Sequence, residues 1–269
     1  MYAYVINLAR SVDRRAHITA ELKKAGLDYQ IITAVDGRDL DLDDPAIVDP
    51  SLAAKTVSMA GAAGCALSHL IAYRKMIADG LDEVLVLEDD VILPLDLGIL
   101  ADAVADQLAG AEVVLLNYAT PYPPCQLSRE GSIHLPSSRL LAFSIDVDQW
   151  LVSSSAYIIT REACERMIKC VLPVRVTIDD WRFFYREGAL DQMRCVAPVP
   201  VLNNPKLVST IGSYTLGNGL SARLLWPLVN HKIPLLYQML SYRRQRIQRR
   251  WSRLEIVDMP FIEKPSRLG

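Results

Sequence analysis

Residues 84–94 read VLVLEDDVILP. A run of aliphatic residues, with the character of a strand buried on both faces, leads straight into Glu88, Asp89 and Asp90, and the apolar pattern resumes at Val91. Continuous apolar strands belong inside sheets covered on both sides. Three adjacent carboxylates repel one another and are costly at the margin of a core unless a cation lies close by. The stretch therefore predicts a covered sheet whose strand end carries a site for positive charge.

Outward from it, strand-like and helix-like patterns alternate. Tyr2 to Leu8 is β-prone, and a helical stretch from Ser11 to Ala25 places Ile18 and Leu22 on one face before Gly26 stops it. Gln30 to Thr33 reads as a short strand, and a loop rich in Asp and Pro runs from Asp36 to Ser58. A helix from Ala62 to Ala78 closes at Gly80, Glu83 to Glu88 is the apolar strand, a helix covers Leu97 to Leu108, and Glu112 to Leu116 is another buried strand. Residues 119–149, with four prolines, read as long loops. Repeated β-α-β units predict an α/β fold, a mostly parallel twisted sheet flanked by helices. Ligands in such sheets bind beyond the carboxyl ends of the strands, where Asn7, the acidic cluster and Asn117 fall.

The chain has 269 residues, 51% of them hydrophobic, with a formal net charge of −2, enough for one sizeable core and an appendage. Balanced charge points to no nucleic-acid partner. The five cysteines form no CxxC pair and are odd in number, which argues against a disulfide framework and for a reducing cytosol. No basic, apolar leader opens the chain, and the most apolar stretch, Leu224 to Leu240, is broken by Pro227, His231, Lys232 and Pro234. A soluble or peripheral protein is expected.

Along a strand, residues i and i+2 face one way, so Glu88 and Asp90 converge while Asp89 turns aside. Paired carboxylates of this kind suit a hard cation, Mg²⁺ or Mn²⁺. Arg10, Arg14 and Arg15 stand near a helix start, a place for phosphate as well as for ordinary surface ion pairs. Neither GxGxxG nor a P-loop motif is present. Ser68 and His69 lie within a helix, and the remaining histidines show no ligand spacing to His69; with no GxSxG elbow and no nearby Cys and His pairing, covalent hydrolase chemistry is disfavoured. In TIDDWRFF (177–184), Asp179 suits a helix N-cap or, beside Trp181 as a sugar platform, a general base. Ser68, His69, Asn117 and Trp181 stand as candidate substrate-binding residues.

YVINLARSVDRR at the start, AVDG at 34–37, GAAGCALSHLIAYRKMI, VLVLEDDVIL and SSAYIITREACERMI occur in an order and spacing that resembles glycosyltransferase family 25, which includes lipooligosaccharide galactosyl- and glucosyltransferases. The resemblance spans roughly the first 210 residues. It implies a GT-A-type fold, a UDP-sugar donor, and transfer with inversion to a lipooligosaccharide or lipopolysaccharide core saccharide. Glu88 and Asp90 would hold Mn²⁺ or Mg²⁺ against the diphosphate; Asn7, Arg10, Arg14, Asp36 and Asp89 would lie near the nucleotide; Asp179 or the adjacent Asp180 would be the base. GAAGC departs from the family's GEIGC at its acidic position. A nucleotidyltransferase making an activated sugar, or a non-catalytic saccharide-binding homologue, are the alternatives.

Residues 1–215 are expected to form the catalytic domain and 216–269 a basic amphipathic extension. Arg243, Arg244, Arg246, Arg249, Arg250 and Arg253 flank an apolar stripe of Leu236, Leu240, Ile247, Trp251 and Leu254. A basic helix of this kind suits an anionic membrane surface, at about 1 kcal/mol per basic residue; dimer packing and RNA binding compete with that reading. With a lipid-linked acceptor, the expectation is a cytoplasmic protein peripheral at the inner membrane.

Overall fold

The computed structural model describes residues 1–50, 57–118, 125–128, 131–143, 151–207 and 254–257. In chain order the elements are β1 (Tyr2–Asn7), α1 (Val12–Ala25), β2 (Asp28–Thr33), α2 (Val57–Ala78), β3 (Glu83–Glu88), β4 (Val91–Ile92), α3 (Leu97–Ala105) and β5 (Glu112–Leu115). There follow β6 (Cys125–Ser128), β7 (Ile133–Leu135), β8 (Arg139–Phe143), β9 (Ala156–Thr160), α4 (Arg161–Cys170), α5 (Trp181–Arg186), β10 (Gln192–Ala197), β11 (Leu202–Asn203) and β12 (Leu254–Val257).

Eight strands form the central sheet in the order β2-β1-β3-β9-β5-β10-β8-β7. Strands β2, β1, β3, β5, β10 and β7 run one way and β9 and β8 the other, so the sheet is mixed but mostly of one direction, as expected. Side chains alternate cleanly across it. Tyr4, Ile6, Val84, Val86, Val113, Leu115, Tyr157 and Ile159 pack toward α2, α4 and α5. Ala3, Val5, Leu85, Leu87, Val114, Ile158, and Ile18 and Leu22 of α1 pack with Leu97, Leu100 and Val104 of α3 on the opposite face. Apolar residues at every position of β3 between its terminal glutamates, and of β5 after Glu112, are the consequence of two covered faces.

Helix boundaries follow local chemistry. Gly26 ends α1 at φ 64°, the left-handed conformation that glycine adopts without a Cβ clash, and its N–H reaches the carbonyls of Leu22 and Lys23. Helix α2 begins earlier than the glycine-rich stretch implied.

Two expectations are corrected. Residues 119–149 are not simply loops, because β6, β7 and β8 lie within them and the β7–β8 hairpin joins the central sheet through β8; the strands are short, and β6 and β8 take their other partners from far along the chain, so periodicity does not reveal them. The amphipathic stripe cannot extend as helix to Leu254, which opens β12, paired antiparallel with β6. The rest of that stripe and the arginine cluster lie outside the described residues. Among the described residues no helix is long and apolar enough to cross a membrane.

Candidate active site

Strands β1, β3 and β5 run in one direction, so Asn7, Glu88 and Asn117 reach one edge of the sheet. Strand β9, running the opposite way between β3 and β5, starts at that edge and brings Ser153, Ser154 and Ser155 to it. The Glu88 amide donates to the Ser155 carbonyl (2.9 Å), and the Ser154 hydroxyl donates to Glu88 Oε1 (2.6 Å).

The strand ends at Glu88, and Asp89 and Asp90 occupy a turn. Alternation therefore fails at this point, and the expectation that Asp89 turns aside from Asp90 is corrected. Arg14 Nη2 lies 2.6 Å from Asp89 Oδ1 and 2.6 Å from Asp90 Oδ2. Asn7 Nδ2 donates to Asp89 Oδ2 at 2.6 Å. The resident cation of the acidic stretch is thus a guanidinium whose forked donors can serve two carboxylates at once. Spaced along the same face of α1, His17 Nε2 contacts the Val91 carbonyl (2.8 Å) and Glu21 accepts from the Leu93 amide (3.0 Å). One helix face grips the whole turn.

The carboxylates are not equivalent. Burial, then the charge of Glu88, pushes Asp90 up to about 6 against the pull of Arg14. Burial also raises Asp89, opposed by Arg14 and Asn7. Burial works against ionised Glu88 as well, but His69, Ser154 and Arg14 together outweigh it and its carboxyl is lowered. Asp179, partly buried, is raised by burial first and by Glu88, against a hydrogen bond from Thr177. Asp179 thus belongs to the same electrostatic cluster. Asp180 is engaged elsewhere. Its side chain caps α5 by accepting from the Phe183 amide (3.2 Å), the role that the sequence offered to Asp179.

The other expected residues divide between support and periphery. Asp36 pairs with Arg10 and Arg38, fastening the loop after β2 to the end of β1. Ser68 is buried and pins that same loop: its hydroxyl donates to the Gly64 carbonyl (2.6 Å) and accepts from the Val35 amide (2.9 Å). Backbones meet here. A Cβ on Gly37 would fall 1.9 Å from the Ala60 carbonyl oxygen, and one on Gly64 would fall 2.7 Å from Gly37 N, so AVDG and GAAGC form one joint. Asn117 is buried between the Val201 carbonyl and the Ser153 hydroxyl. Trp181 is fully buried, its indole N–H donated to the Ser153 carbonyl (2.9 Å) and its ring edge-on to Tyr157; it has no face for a sugar, and that expectation is corrected.

His69 is fully buried, its Nδ1 lying 2.6 Å from the Tyr157 hydroxyl, which in turn lies 2.9 Å from that of Tyr73. Its Nε2 is 3.8 Å from Glu88 Oε1. Cys65, one helical turn earlier, completes a group with His69 and Glu88 whose ligand atoms lie within 4.8 Å of one another and could hold a metal ion. The sequence reading found no Cys and His pairing here, although four-residue spacing on a helix was its signal.

A sequence profile of glycosyltransferase family 25 (LPS biosynthesis protein) matches residues 1–181. The chain belongs to that family. Family 25 relatives include a glycosyltransferase 25 family member of Aedes aegypti, 38% identical over 99 residues, and the human inactive glycosyltransferase 25 family member 3, 38% identical over 97. These matches cover 34% and 33% of this chain but only 16% of either relative. The lacto-N-neotetraose biosynthesis glycosyltransferase LgtB of Neisseria meningitidis is 31% identical over 93 residues, covering 35% of this chain and 33% of LgtB. Among solved structures, a glycosyltransferase involved in glycosylation of the major capsid of PBCV-1 overlaps 72% of this chain and 79% of its own at 6% identity and a TM-score of 0.36, a likeness too slight to build on.

Proposed function

We propose that this family 25 protein is an inverting hexosyltransferase of GT-A type, moving galactose or glucose from a UDP-sugar to a lipooligosaccharide or lipopolysaccharide core saccharide. One observation carries the reading. The buried side-chain polar atoms found without a hydrogen-bond partner among the described residues are Arg14 Nε, His69 Nε2 and Asp90 Oδ1, all in this one site. A buried polar group left open calls for an explanation, and a catalytic role or a bound ion supplies one for three such atoms gathered in one place.

Asp90 Oδ1 is an unpartnered carboxylate oxygen beside Glu88, a donor set that fits Mn²⁺ or Mg²⁺. A cation held by Glu88 and Asp90 would supply neutralisation of the diphosphate charge. Arg14 stands ready to add to that neutralisation through its free Nε, while Asn7 and Asp89 fix the turn. Asp179 is the general base: its carboxyl, held above the ordinary aspartate range by burial, binds the proton of an acceptor hydroxyl more firmly than an exposed aspartate does. The extension over 216–269 is read as an attachment to an anionic membrane surface that carries the lipid-linked acceptor, with β12 tying it back to β6.

The test is UDP release from UDP-galactose, UDP-glucose and UDP-N-acetylhexosamines with Mn²⁺, with and without a lipooligosaccharide acceptor. Acceptor-dependent release from a hexose donor, abolished by Asp90→Asn, is the expected result. Because some relatives are named inactive, the competing outcome is definite: saccharide binding with no release from any donor makes the chain a non-catalytic homologue.

A further inference from the structure

We infer that Cys65, His69 and Glu88 form a second cation site, selective for a borderline-soft divalent ion such as Zn²⁺ rather than for the oxygen-seeking ion assigned to the acidic turn. The donor chemistry makes the distinction. A thiolate, an imidazole and a carboxylate are the ligands that zinc takes, whereas Mg²⁺ and Mn²⁺ favour oxygen throughout. Cys65 and His69 are four residues apart on α2, on one face of the helix, and Glu88 meets them from the end of β3, all three ligand atoms lying within 4.8 Å of one another.

An independent observation points to a ligand. His69 has no exposed surface, yet its Nε2 has no hydrogen-bond partner, the nearest carboxylate oxygen being 3.8 Å away on Glu88. An orphaned imidazole nitrogen in a fully buried side chain costs free energy, and a metal ion removes that cost. The opposite nitrogen is already fixed: Nδ1 meets the Tyr157 hydroxyl at 2.6 Å, with Tyr73 behind it at 2.9 Å. Outer partners of this kind set the tautomer and ring orientation of metal-binding histidines. On binding, Cys65 ligates as thiolate and its proton passes to solvent. Burial, then the charges of Glu88 and Asp179, holds the Cys65 thiol up, so the ion must displace that proton, and three protein ligands would leave a further position for water.

Glu88 is shared between this site and the acidic turn. Zinc at Cys65 and His69 therefore draws Glu88 away from the donor diphosphate, so that soft and hard cations compete through a single carboxylate.

Cobalt provides the test, because Co²⁺ takes zinc sites and its bond to a thiolate absorbs in the near ultraviolet. Titration of the full-length, reduced protein with Co²⁺ under anaerobic conditions is expected to give one equivalent of that absorption, erased by Zn²⁺ and, because Glu88 is shared, weakened but not erased by excess Mg²⁺. Cys65→Ser should abolish it, Cys170→Ser and Asp90→Asn should retain it, and Tyr157→Phe, which keeps the ring and loses the outer hydrogen bond, should weaken binding on the order of tenfold. Circular dichroism of each variant verifies the fold. Absence of the band in the wild-type protein, or its persistence in Cys65→Ser, overturns the inference. The readout does not involve sugar transfer, so its outcome is separate from that of the proposed function.

Discussion

Arg14 Nη2 lies 2.6 Å from Asp90 Oδ2, at the turn where β3 gives way to β4. The same nitrogen lies 2.6 Å from Asp89 Oδ1, so one guanidinium compensates two carboxylates that burial would otherwise neutralise. Arg14→Ala should destabilise the fold by about 1.5–3 kcal/mol, the range for charge-assisted hydrogen bonds, and reduce donor turnover at least tenfold. Arg14→Lys should recover only part of either, since an ammonium is a point charge and not a fork. Thermal unfolding with and without Mn²⁺ checks the arrangement: the ion should stabilise Arg14→Ala more than the wild-type protein, because it replaces the missing charge.

Asp179 and Asp180 are neighbours with separable roles. Asp179→Asn should leave folding and UDP binding intact while slowing transfer about 10²- to 10⁴-fold, the usual contribution of a positioned base. Asp180→Ala should cost about 1 kcal/mol of stability through loss of the α5 cap, with transfer largely preserved. Denaturant titration alongside initial rates distinguishes the two, and a normal rate in Asp179→Asn removes it as the base.

Gly64→Ala places a methyl group 2.7 Å from Gly37 N and 2.8 Å from the Val35 carbonyl, both backbone atoms that cannot rotate away. The loop at 34–37 must then lift from α2, breaking the Ser68 bond to Val35. Overpacking of this kind costs about 1–3 kcal/mol. Because Asp36 moves with the loop, UDP binding by calorimetry should weaken together with the melting temperature.

Asp96 accepts from Arg139 (2.5 Å) and from Ser137, tying the residue before α3 to the β7–β8 hairpin. Those bonds hold its carboxyl below the ordinary aspartate range. Its contribution is therefore complete above the unfolded-state value and is lost as pH falls through the depressed folded value. Asp96→Asn should flatten that part of the acid limb of a stability-against-pH curve, and an unchanged limb would exclude the tie as a source of acid sensitivity.

The parts of this molecule that can be read from sequence are those determined by local chemistry. Strands β1, β3 and β5 declare themselves as apolar runs, and Gly26 and Gly80 stop their helices where left-handed backbone is needed. Strand β9 cannot be placed from its own residues, since its antiparallel insertion between β3 and β5 depends on partners more than forty residues away. The site shows the same division. VLVLEDDVILP makes the need for positive charge evident, but alternation wrongly turns Asp89 away from Asp90 because extended backbone stops at Glu88. Arg14 is visible in the sequence as a basic residue, and its service to Asp89 and Asp90 emerges only when α1 and β3 come together. The aromatic ring of Trp181 suggests a sugar platform for the same reason that it is buried: large flat apolar surface suits either purpose.

The grip of α1 on the acidic turn has a mechanical consequence. Contacts from Arg14, His17 and Glu21 are spread along the segment from Asp89 to Leu93, and the amide of Asn204 holds the Asp90 carbonyl at 2.7 Å. A segment clasped so often has no hinge of its own. Any closure around a bound ligand would then have to be carried by other parts of the chain, with the acidic turn as the stationary anvil against which they work.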